Sequence, residues 1–219
     1  MNDDIPLPRA KLWATTMHGH GADVITAHES STARVAPRDP RRRAAREELE
    51  RALYVPEATF SDGAGDRAVE EEPDEFRTCF ERDRDRIVHS TAFRRLAGKT
   101  QVVVYPTDHQ RTRLTHAVEV AQAAVAMARG IGVNVTLTDA IALGHDCGHG
   151  PGGHASEDAF DAYIEGGYDH GPWGADVVLT SLNLTAQTLD GIRNHSWSRP
   201  APSTVEGEIV SWADRIAYC

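Results

Sequence analysis

The chain has 219 residues, of which 40% are hydrophobic, and its formal net charge is −10. This length and composition suit one globular domain with a tail and allow a buried core. The acidic balance argues against general binding of duplex nucleic acid, because surfaces that bind phosphate backbones are usually basic.

The cysteines and the apolar segments indicate the cellular setting. Only three cysteines are present, and none forms a CxxC pair, so a disulfide framework is not expected and a reducing compartment is favoured. The N-terminus MNDDIPLPRAK lacks the apolar stretch of a signal peptide, and no apolar run is long enough to span a membrane. The sequence therefore predicts a soluble cytoplasmic protein without a membrane partner.

Residues 1–56 are predicted to form a mobile N-terminal extension, and the domain proper is expected at 57–219. The extension is rich in proline, histidine and glycine, and only 42–53 shows a short helical period. A mobile tail or a weakly docked arm is the preferred interpretation of this segment. The alternative of a second metal site rests on three of its histidines, His18, His20 and His28.

The segment before the central helices is predicted to contain an exposed connector at 57–75 and a charged helix over Phe76–Leu96. The core positions of this helix are predicted to be Phe80, Ile87, Val88 and Phe93. Its arginines either form ion pairs with neighbouring acidic residues or bind a ligand, and the sequence favours neither alternative over the other. These arginines are Arg84, Arg86, Arg94 and Arg95. Gln101–Tyr105 is a short β-like run before a proline.

The next two helices carry the most informative residues. Over Leu114–Ile131 the polar side chains fall on one stripe, whereas His116 shares its row with apolar residues and so points into the interior. The second helix, over Leu137–His145, is almost wholly apolar, which is typical of a buried helix. A segment rich in glycine follows Asp146 and ends this helix. Two threonines are candidates for its N-cap, Thr136 and Thr138.

His116, His145 and Asp146 suggest a metal site. Neighbours on a helix lie about 100° apart, so His145 and Asp146 either face different groups or converge on one ion at the last turn. Convergence is favoured because buried imidazole and carboxylate groups need partners, and one divalent cation satisfies several of them. A fourth ligand is predicted on the helix over Ser203–Tyr218, where Asp214 lies off the exposed row.

The helix over Ser203–Tyr218 has two further predicted features. It opens with a Ser-x-x-Glu capping box formed by Ser203 and Glu206. Its apolar row is predicted to comprise Val205, Ile209, Trp212 and Ile216. Its exposed row is predicted to comprise Glu208, Ser211 and Arg215.

Three more helices are predicted, over Glu157–Glu165, Asp176–Leu182 and Leu184–His195. Asn183 or Thr185 would cap the last of them. The predicted fold is therefore all-α, a helical bundle whose site lies between facing helices. Trp173, Trp197 and Cys147 are interpreted as packing residues. His109 and His195 are interpreted as surface histidines or as satisfied core histidines.

Six motifs occur in order along the chain. They are RDRIVHSTAFRRL at 84–96, KTQV at 99–102, RTRLTH at 111–116, GHDCGHGPGGHASE at 144–157, LNLTAQTLDGI at 182–192 and ADRIAY at 213–218. Within them, His116, the doublet His145-Asp146 and Asp214 resemble the H…HD…D signature of the HD-domain metallohydrolases. The surrounding motifs resemble the dGTP triphosphohydrolase-like branch, over about residues 57–219. The resemblance implies an HD-domain helical bundle with one divalent metal ion between its helices.

His154 and Glu157 are the candidate catalytic pair. Their i, i+3 spacing puts both on one face of a helix, where the carboxylate can orient the imidazole or hold a water. The alternative is a histidine at a helix N-terminus with a capping glutamate. In the family that the chain resembles, the matching histidine and glutamate are the catalytic pair, so the resemblance implies this role here.

The substrate contacts follow from the same resemblance. Arg113 lies one turn before His116, which would also put a guanidinium beside a phosphate held at the metal. The residues that match the family's substrate contacts are Arg113, His149 and Arg215 for the triphosphate, His170 for the α-phosphate, and Gln101 and Tyr218 for the deoxyribose.

The implied activity is hydrolysis of dGTP or another dNTP to deoxynucleoside and tripolyphosphate, by attack of water at the α-phosphorus. The mixed nitrogen and oxygen ligands suit Mn, Fe, Co, Ni, Zn or, less comfortably, Mg. A homo-oligomer is implied, with nucleic acid only as an effector.

Two features depart from the family pattern. Gly152 stands where the family often has an aromatic residue, and the chain stops at Cys219, whereas family members continue with a helical C-terminal part. The fold is therefore expected to be truncated at the C-terminus relative to the family. The alternatives are an HD phosphohydrolase acting on other nucleotides and a truncated, inactive module that binds nucleotides.

Overall fold

The computed structural model describes residues 41–103 and 106–218. The second metal site considered for the N-terminal histidines lies outside these ranges, as does Tyr105. One compact unit runs from Pro40 to Cys219, so the helix Arg43–Leu53 belongs to it, although the domain was expected to begin at residue 57.

The described residues are all-α, as predicted, with isolated bridges in place of strands. None of their helices combines the length and the apolar character needed to cross a membrane. The α-helices are α1 Arg43–Leu53, α2 Cys79–His89, α3 Thr91–Arg95, α4 Arg113–Ile131, α5 Val135–Gly144, α6 His154–Asp161, α7 His170–Trp173, α8 Ala186–Asn194 and α9 Val205–Tyr218.

Helix α5 lies at the centre of the packing. It contacts α2, α4, α8 and α9, and its side chains Leu137 and Ile141 are fully buried. Gly191 of α8 lets the two backbones approach, because a Cβ at that position would lie 2.4 Å from Ile141 Cδ1. The C-terminal end of α5, which carries His145, is therefore enclosed by other helices.

Both central helices have a side-chain cap at their N-terminus. Thr112 caps α4 through a reciprocal pair of hydrogen bonds with Thr115. Helix α5 is capped by Asn134, whose side-chain oxygen accepts from two backbone amides at 3.1 Å each. The prediction of Thr136 or Thr138 was wrong, because Asn134 is fully buried and is held in place by distant partners such as Glu50 and Thr59.

The charged helix predicted over Phe76–Leu96 is divided at Ser90. The Ser90 backbone is extended, and its hydroxyl accepts from the amide of Phe93 at 3.1 Å, so this residue ends α2 and caps α3. The predicted core positions Phe80, Ile87 and Phe93 are buried, and Val88 is partly buried.

Arg84 and Arg86 of this helical region make their shortest ion pairs with residues that are distant in sequence. Arg84 Nε lies 2.7 Å from Asp139 Oδ2, and Arg86 contacts Glu71 at 2.6 Å. Of the acidic residues predicted as their partners, Asp85 lies 3.7 Å from Arg84, whereas Glu81 pairs with Arg46 and Asp83 pairs with Arg67.

The connector predicted to be exposed is partly buried. Ser61 is fully buried, and the Arg67 guanidinium lies 2.7 Å from Asp83 Oδ1 with both side chains at most 1% exposed. Asp83 Oδ2 also accepts from the Thr185 amide and hydroxyl and from the Thr188 hydroxyl. The connector therefore links α2 to the start of α8.

Replacing Asp83 with alanine is expected to lower the free energy of unfolding by roughly 3 to 5 kcal/mol, because it leaves the Arg67 charge buried and unpaired. Urea unfolding followed by circular dichroism measures the change. Asp85→Ala removes an exposed ion pair on the same helix and is expected to cost less than about 1 kcal/mol. Equal costs for the two variants would contradict the assignment.

Two further predicted elements differ from the structure. The β-like run over Gln101–Tyr105 forms no strand at the described residues 101–103, and the nearby pairing is an isolated bridge between Thr100 and Thr112. The helix predicted over Asp176–Leu182 is a π-helical turn, Gly174–Val178, followed by a 3-10 turn, Thr180–Leu182.

The capping box predicted for α9 was wrong. The Glu206 carboxylate is fully buried and accepts from the amides of Thr59 and Asn134 at 3.0 and 2.9 Å. The first turn is instead capped by the Thr204 hydroxyl, which accepts from the Gly207 amide at 3.1 Å. Glu206 therefore joins α9 to the connector and to the start of α5.

The apolar row predicted for α9 is mostly exposed. Trp212 and Ile216 are 49% and 54% exposed, and only Ile209 of the four predicted residues is buried. Trp197, predicted to be a packing residue, is 53% exposed and contacts the Trp212 ring at 4.9 Å between centroids. Its indole N–H donates to the Ser211 carbonyl, and Ser211 is buried rather than exposed as predicted.

Candidate active site

Three helices bring one group of histidines and carboxylates together. His116 comes from the first turn of α4, His145 from the end of α5 and Asp214 from α9. One ligand-type atom of each lies within 4.8 Å of the others. With Asp146, these residues are called the His116 cluster below.

The spacings in the His116 cluster suit ligands of a single ion. His116 Nε2 lies 2.8 Å from Asp214 Oδ1. His145 Nε2 lies 3.8 Å from the same oxygen and 3.5 Å from Asp146 Oδ1. Ligand atoms about 2.1 Å from a metal are about 3.0 Å apart at right angles and about 3.4 Å apart in a tetrahedron. The four residues could therefore hold a divalent metal ion.

The orientation of His145 also fits a metal ligand. Its Nδ1–H donates to the Ala142 carbonyl at 2.6 Å, so Nε2 carries the lone pair. Nε2 is buried and has no hydrogen-bond partner among the described residues. A buried acceptor without a partner, aimed at two carboxylates and another imidazole, is a group that a divalent transition metal satisfies.

Both carboxylates of the His116 cluster have a lowered pKa. Burial acts to raise the pKa of Asp146, but the electrostatic interaction with the His145 ring and a contact with His149 hold it well below its usual range. Burial also opposes ionisation of Asp214, and the hydrogen bond with His116 outweighs it, so this pKa is lowered as well. Both groups are therefore anionic near neutral pH.

Arg113 lies beside the His116 cluster and is almost fully buried. Its Nη1 donates to Asp146 Oδ2 at 2.9 Å, whereas Nε and Nη2 have no hydrogen-bond partner in the described part of the chain. Gly153 has a φ of +63°, and a Cβ there would lie 2.4 Å from Nη2. Glycine thus lets the loop lie against the guanidinium, whose unpartnered N–H groups suit a phosphate oxygen.

A second group of polar residues lies across the same space. It consists of His149, His154, Glu157 and His170, which are called the Glu157 cluster below. Glu157 Oε2 lies 3.1 Å from His154 Nδ1, and Oε1 lies 2.5 Å from His170 Nδ1. The rings of His149 and His170 stack with centroids 3.6 Å apart. Glu157 therefore links the two histidines predicted for catalysis and for the α-phosphate.

The histidines of the Glu157 cluster differ in charge. The hydrogen bond that His154 donates to Glu157 raises the pKa of His154, whose side chain is 59% exposed. Burial lowers the pKa of His149 to about 3, so this imidazole is neutral. Burial acts to raise the pKa of Glu157, but hydrogen bonds from His154 and His170 bring it below its usual range. The cluster thus holds an ionised carboxylate beside an exposed imidazole that protonates readily.

The segment that carries His170 approaches the glycine-rich loop through backbone contacts. A Cβ at Gly148 would lie 2.0 Å from the His170 carbonyl oxygen and 2.4 Å from the Gly174 amide. Tyr168 adds a hydrogen bond from its hydroxyl to the Gly148 carbonyl at 2.5 Å. The loop after α5 therefore needs glycine at this position to bring α7 to the site.

His195 lines this site and is buried with partners at both ring nitrogens, which agrees with the second predicted alternative, a satisfied core histidine. Its Nε2 lies 3.0 Å from His170 Nε2, and its ring contacts the His145 ring at 5.0 Å between centroids. Burial, together with the nearby His170 and His145 rings, lowers its pKa to about 3. The sequence shows only that a histidine follows the buried end of α8, and this position does not indicate which residue its ring contacts.

A cavity of about 450 Å³ lies between the two clusters. Ten of the twelve predicted site residues line it, and the other two, His145 and Glu157, lie outside the lining. The ten are Gln101, Arg113, His116, Asp146, His149, His154, His170, Asp214, Arg215 and Tyr218. Lining residues that were not predicted include His195, Ser196, Trp197 and Ser198.

Gln101 and Tyr218, predicted to contact the deoxyribose, and Arg215, predicted to contact the triphosphate, lie at different depths. Gln101 is buried, and its side-chain oxygen has no hydrogen-bond partner among the described residues. Tyr218 is 53% exposed and meets the His116 ring edge to face at 6.3 Å. Arg215 lies over the Trp197 ring at 4.4 Å. The cavity therefore has an aromatic and cationic outer edge.

Comparison with known proteins identifies the family. Residues 113–219 match the model of the HD domain. A relative from Caldanaerobacter subterraneus, named deoxyguanosinetriphosphate triphosphohydrolase-like protein, is 50% identical over 179 residues, covering 78% of this chain and 52% of the relative. A relative of the same name from Clostridium perfringens is 45% identical over 183 residues, covering 78% of this chain and 53% of the relative. Another, from a Ruegeria species, is 41% identical over 197 residues, covering 76% of this chain and 52% of the relative.

The chain spans about half the length of the curated relatives it matches. The matched region nevertheless includes the helices that carry His116, His145 and Asp214. With the family model, the relatives and the geometry in agreement, this chain belongs to the HD-domain family, in its dGTP triphosphohydrolase-like branch.

Proposed function

We propose that this chain hydrolyses deoxynucleoside triphosphates to deoxynucleoside and tripolyphosphate. The observation that carries the proposal is the arrangement of two clusters around one cavity. The His116 cluster offers ligands for a divalent ion, and the Glu157 cluster offers an exposed histidine with a raised pKa. The name of these relatives, which refers to deoxyguanosine triphosphate, supports a nucleotide as the substrate.

The metal is proposed to be held by His116, His145, Asp146 and Asp214. When bound, a divalent ion polarises a phosphoryl oxygen and makes water more acidic, and both effects favour attack on the α-phosphorus. The mixed nitrogen and oxygen donors support Mn, Fe, Co, Ni or Zn, with Mg a weaker candidate.

The remaining residues are proposed to hold the triphosphate and to move a proton. The unpartnered Arg113 Nη2 and the neutral His149 are suited to donate hydrogen bonds to phosphate oxygens. Water forms a bond to the α-phosphorus as the bond to the 5′ oxygen breaks. His154 gives its proton to that departing oxygen, and Glu157 keeps the imidazole protonated beforehand. The attacking water gives up two protons, of which one restores the proton that His154 donates and the other is released to solvent.

The outer contacts complete the proposal. Arg215 would neutralise the distal phosphates, and Gln101 and Tyr218 would face the deoxyribose. His170 would approach the α-phosphate, although both of its ring nitrogens already have partners. Homo-oligomerisation stays a prediction from the resemblance, with nucleic acid only as an effector, and light scattering after size exclusion tests the assembly.

Incubation of the metal-loaded protein with each dNTP tests the proposed function. Anion-exchange separation of tripolyphosphate from pyrophosphate and phosphate identifies the bond that breaks. Tripolyphosphate is the expected product. Pyrophosphate or phosphate would instead indicate a phosphohydrolase of another specificity, and nucleotide binding without any product would indicate an inactive binding module.

Replacing Glu157 with glutamine is expected to shift the alkaline limb of the kcat profile to lower pH. Glu157 raises the pKa of His154, so the protonated acid persists to higher pH in the unchanged protein and is lost as pH rises through that pKa. Glutamine removes the negative charge, and the imidazole then loses its proton at lower pH. Initial rates across a pH series measure the shift, and an unmoved alkaline limb would contradict the role.

A further inference from the structure

His195 is anchored by the backbone at the end of α8. Its Nδ1 lies 2.8 Å from the Ile192 carbonyl oxygen, which can only accept, so Nδ1 carries the hydrogen. The residue is 2% exposed. In the neutral imidazole the other nitrogen, Nε2, is then an acceptor with a fixed direction.

That acceptor faces His170. The two Nε2 atoms are 3.0 Å apart, and because His195 Nε2 has no hydrogen, His170 must donate. The other nitrogen of His170, Nδ1, lies 2.5 Å from Glu157 Oε1, and the His170 amide donates to the same oxygen at 3.2 Å. An ionised carboxylate only accepts, so His170 donates from both ring nitrogens.

The chain of contacts continues to the cavity. The second oxygen of Glu157 lies 3.1 Å from Nδ1 of His154, the exposed ring proposed as the acid. A backbone carbonyl on α8 is thus connected to His154 through His195, His170 and Glu157. Every link has a defined donor and acceptor, because the first one is fixed by the backbone.

We propose that His195 is a positioning residue, which holds His170 in one orientation and thereby fixes Glu157 and His154 for proton transfer. This inference rests on the proposed function for its effect on the rate, but its structural part concerns the hydrogen bond between the two histidines alone. A core histidine that only filled space would not need its acceptor aimed at a second buried histidine.

Two substitutions at His195 distinguish the effect of its hydrogen-bond acceptor from the effect of its aromatic ring. His195→Phe keeps an aromatic ring of similar size and removes the acceptor, so kcat is expected to fall about 10- to 100-fold. KM and the bound metal content are expected to stay unchanged, since phenylalanine keeps a ring at this position of the cavity lining and the His116 cluster loses no ligand. His195→Gln places a carbonyl oxygen near the position of Nε2 and is expected to restore most of kcat.

Ile192→Val is the matched control. It removes one methylene from the core beside the same turn and leaves the carbonyl that accepts from His195 in place. We expect a lower melting temperature with unchanged kcat. If this variant loses as much kcat as His195→Phe, loosened packing explains both results and the proposal is overturned.

Nitrogen-15 NMR of histidine-labelled protein tests the hydrogen bond without an activity assay. In the unchanged protein His170 is expected to show both ring nitrogens protonated, and His195 only Nδ1. In His195→Phe the His170 Nε2 signal is expected to shift. This measurement remains decisive if the protein hydrolyses no dNTP, because it reports the resting structure and not the reaction.

Several results would overturn the positioning role. These are an unprotonated His170 Nε2 in the unchanged protein, an unaltered His170 spectrum or an unaltered kcat in His195→Phe, and loss of bound metal in that variant. Failure of His195→Gln to recover activity would also count against it, since the ring and not the acceptor would then matter. If His195→Phe does not fold, His195→Gln and the spectrum of the unchanged protein decide.

Discussion

Asparagine at position 146 is expected to abolish metal loading and to lower kcat for dNTP hydrolysis by about 10³-fold or more. Asp146 Oδ1 lies 3.5 Å from His145 Nε2, and its other oxygen accepts from the buried Arg113. Asparagine keeps the volume and an acceptor for Arg113 but removes the negative charge that a divalent ion requires. The chain should therefore fold without holding the metal.

Elemental analysis of the purified protein, combined with initial rates, measures both effects of Asp146→Asn. Asp139→Asn is a matched control, because Asp139 belongs to α5, the helix that precedes Asp146, and pairs with Arg84 away from the cavity. This control is expected to keep its metal and its rate. Full metal content in Asp146→Asn would refute the ligand assignment.

Glutamine in place of His154 is expected to lower kcat by roughly 10² to 10⁴-fold while metal content and KM stay close to their original values. The side chain is largely exposed in the cavity, and its described contacts are with Glu157 and the neighbouring rings of His149 and His170. Its loss should therefore remove proton transfer without disturbing the fold or the His116 cluster.

Steady-state kinetics and metal analysis separate this outcome from a structural defect. Asp158→Asn is the matched control on the same helix, because Asp158 is exposed and does not line the cavity. It is expected to leave kcat unchanged. If His154→Gln retained full kcat, the residue would be a helix N-terminal histidine and not the acid.

The helical pattern predicted much of what places the candidate site. The row of His116 on α4 and the position of Asp214 on α9 could be derived because helical periodicity is local. The apolar character of α5 predicted its burial, and α5 lies at the centre of the fold. The roles of the twelve site residues stay predictions until the variants are measured.

Polar partners distant in sequence could not be derived. Asn134 caps α5 because its side-chain amide donates to Glu50 and to the Thr59 carbonyl. Glu206 does not form the predicted capping box, because its carboxylate accepts from the backbone amides of Thr59 and Asn134. A hydrogen bond between residues tens of positions apart leaves no period in the sequence. Local capping rules therefore selected the wrong residues at both helices.

The sequence by itself determined the helical class, the two histidine- and carboxylate-bearing motifs and the family, since these depend on local spacing and on the order of short motifs. Only the tertiary structure decided that His195 meets His170, that Arg67 is buried against Asp83, and that Trp197 lies at the edge of the cavity. The physical reason is that these contacts form between segments whose approach depends on the packing of the whole bundle, which local periodicity does not encode.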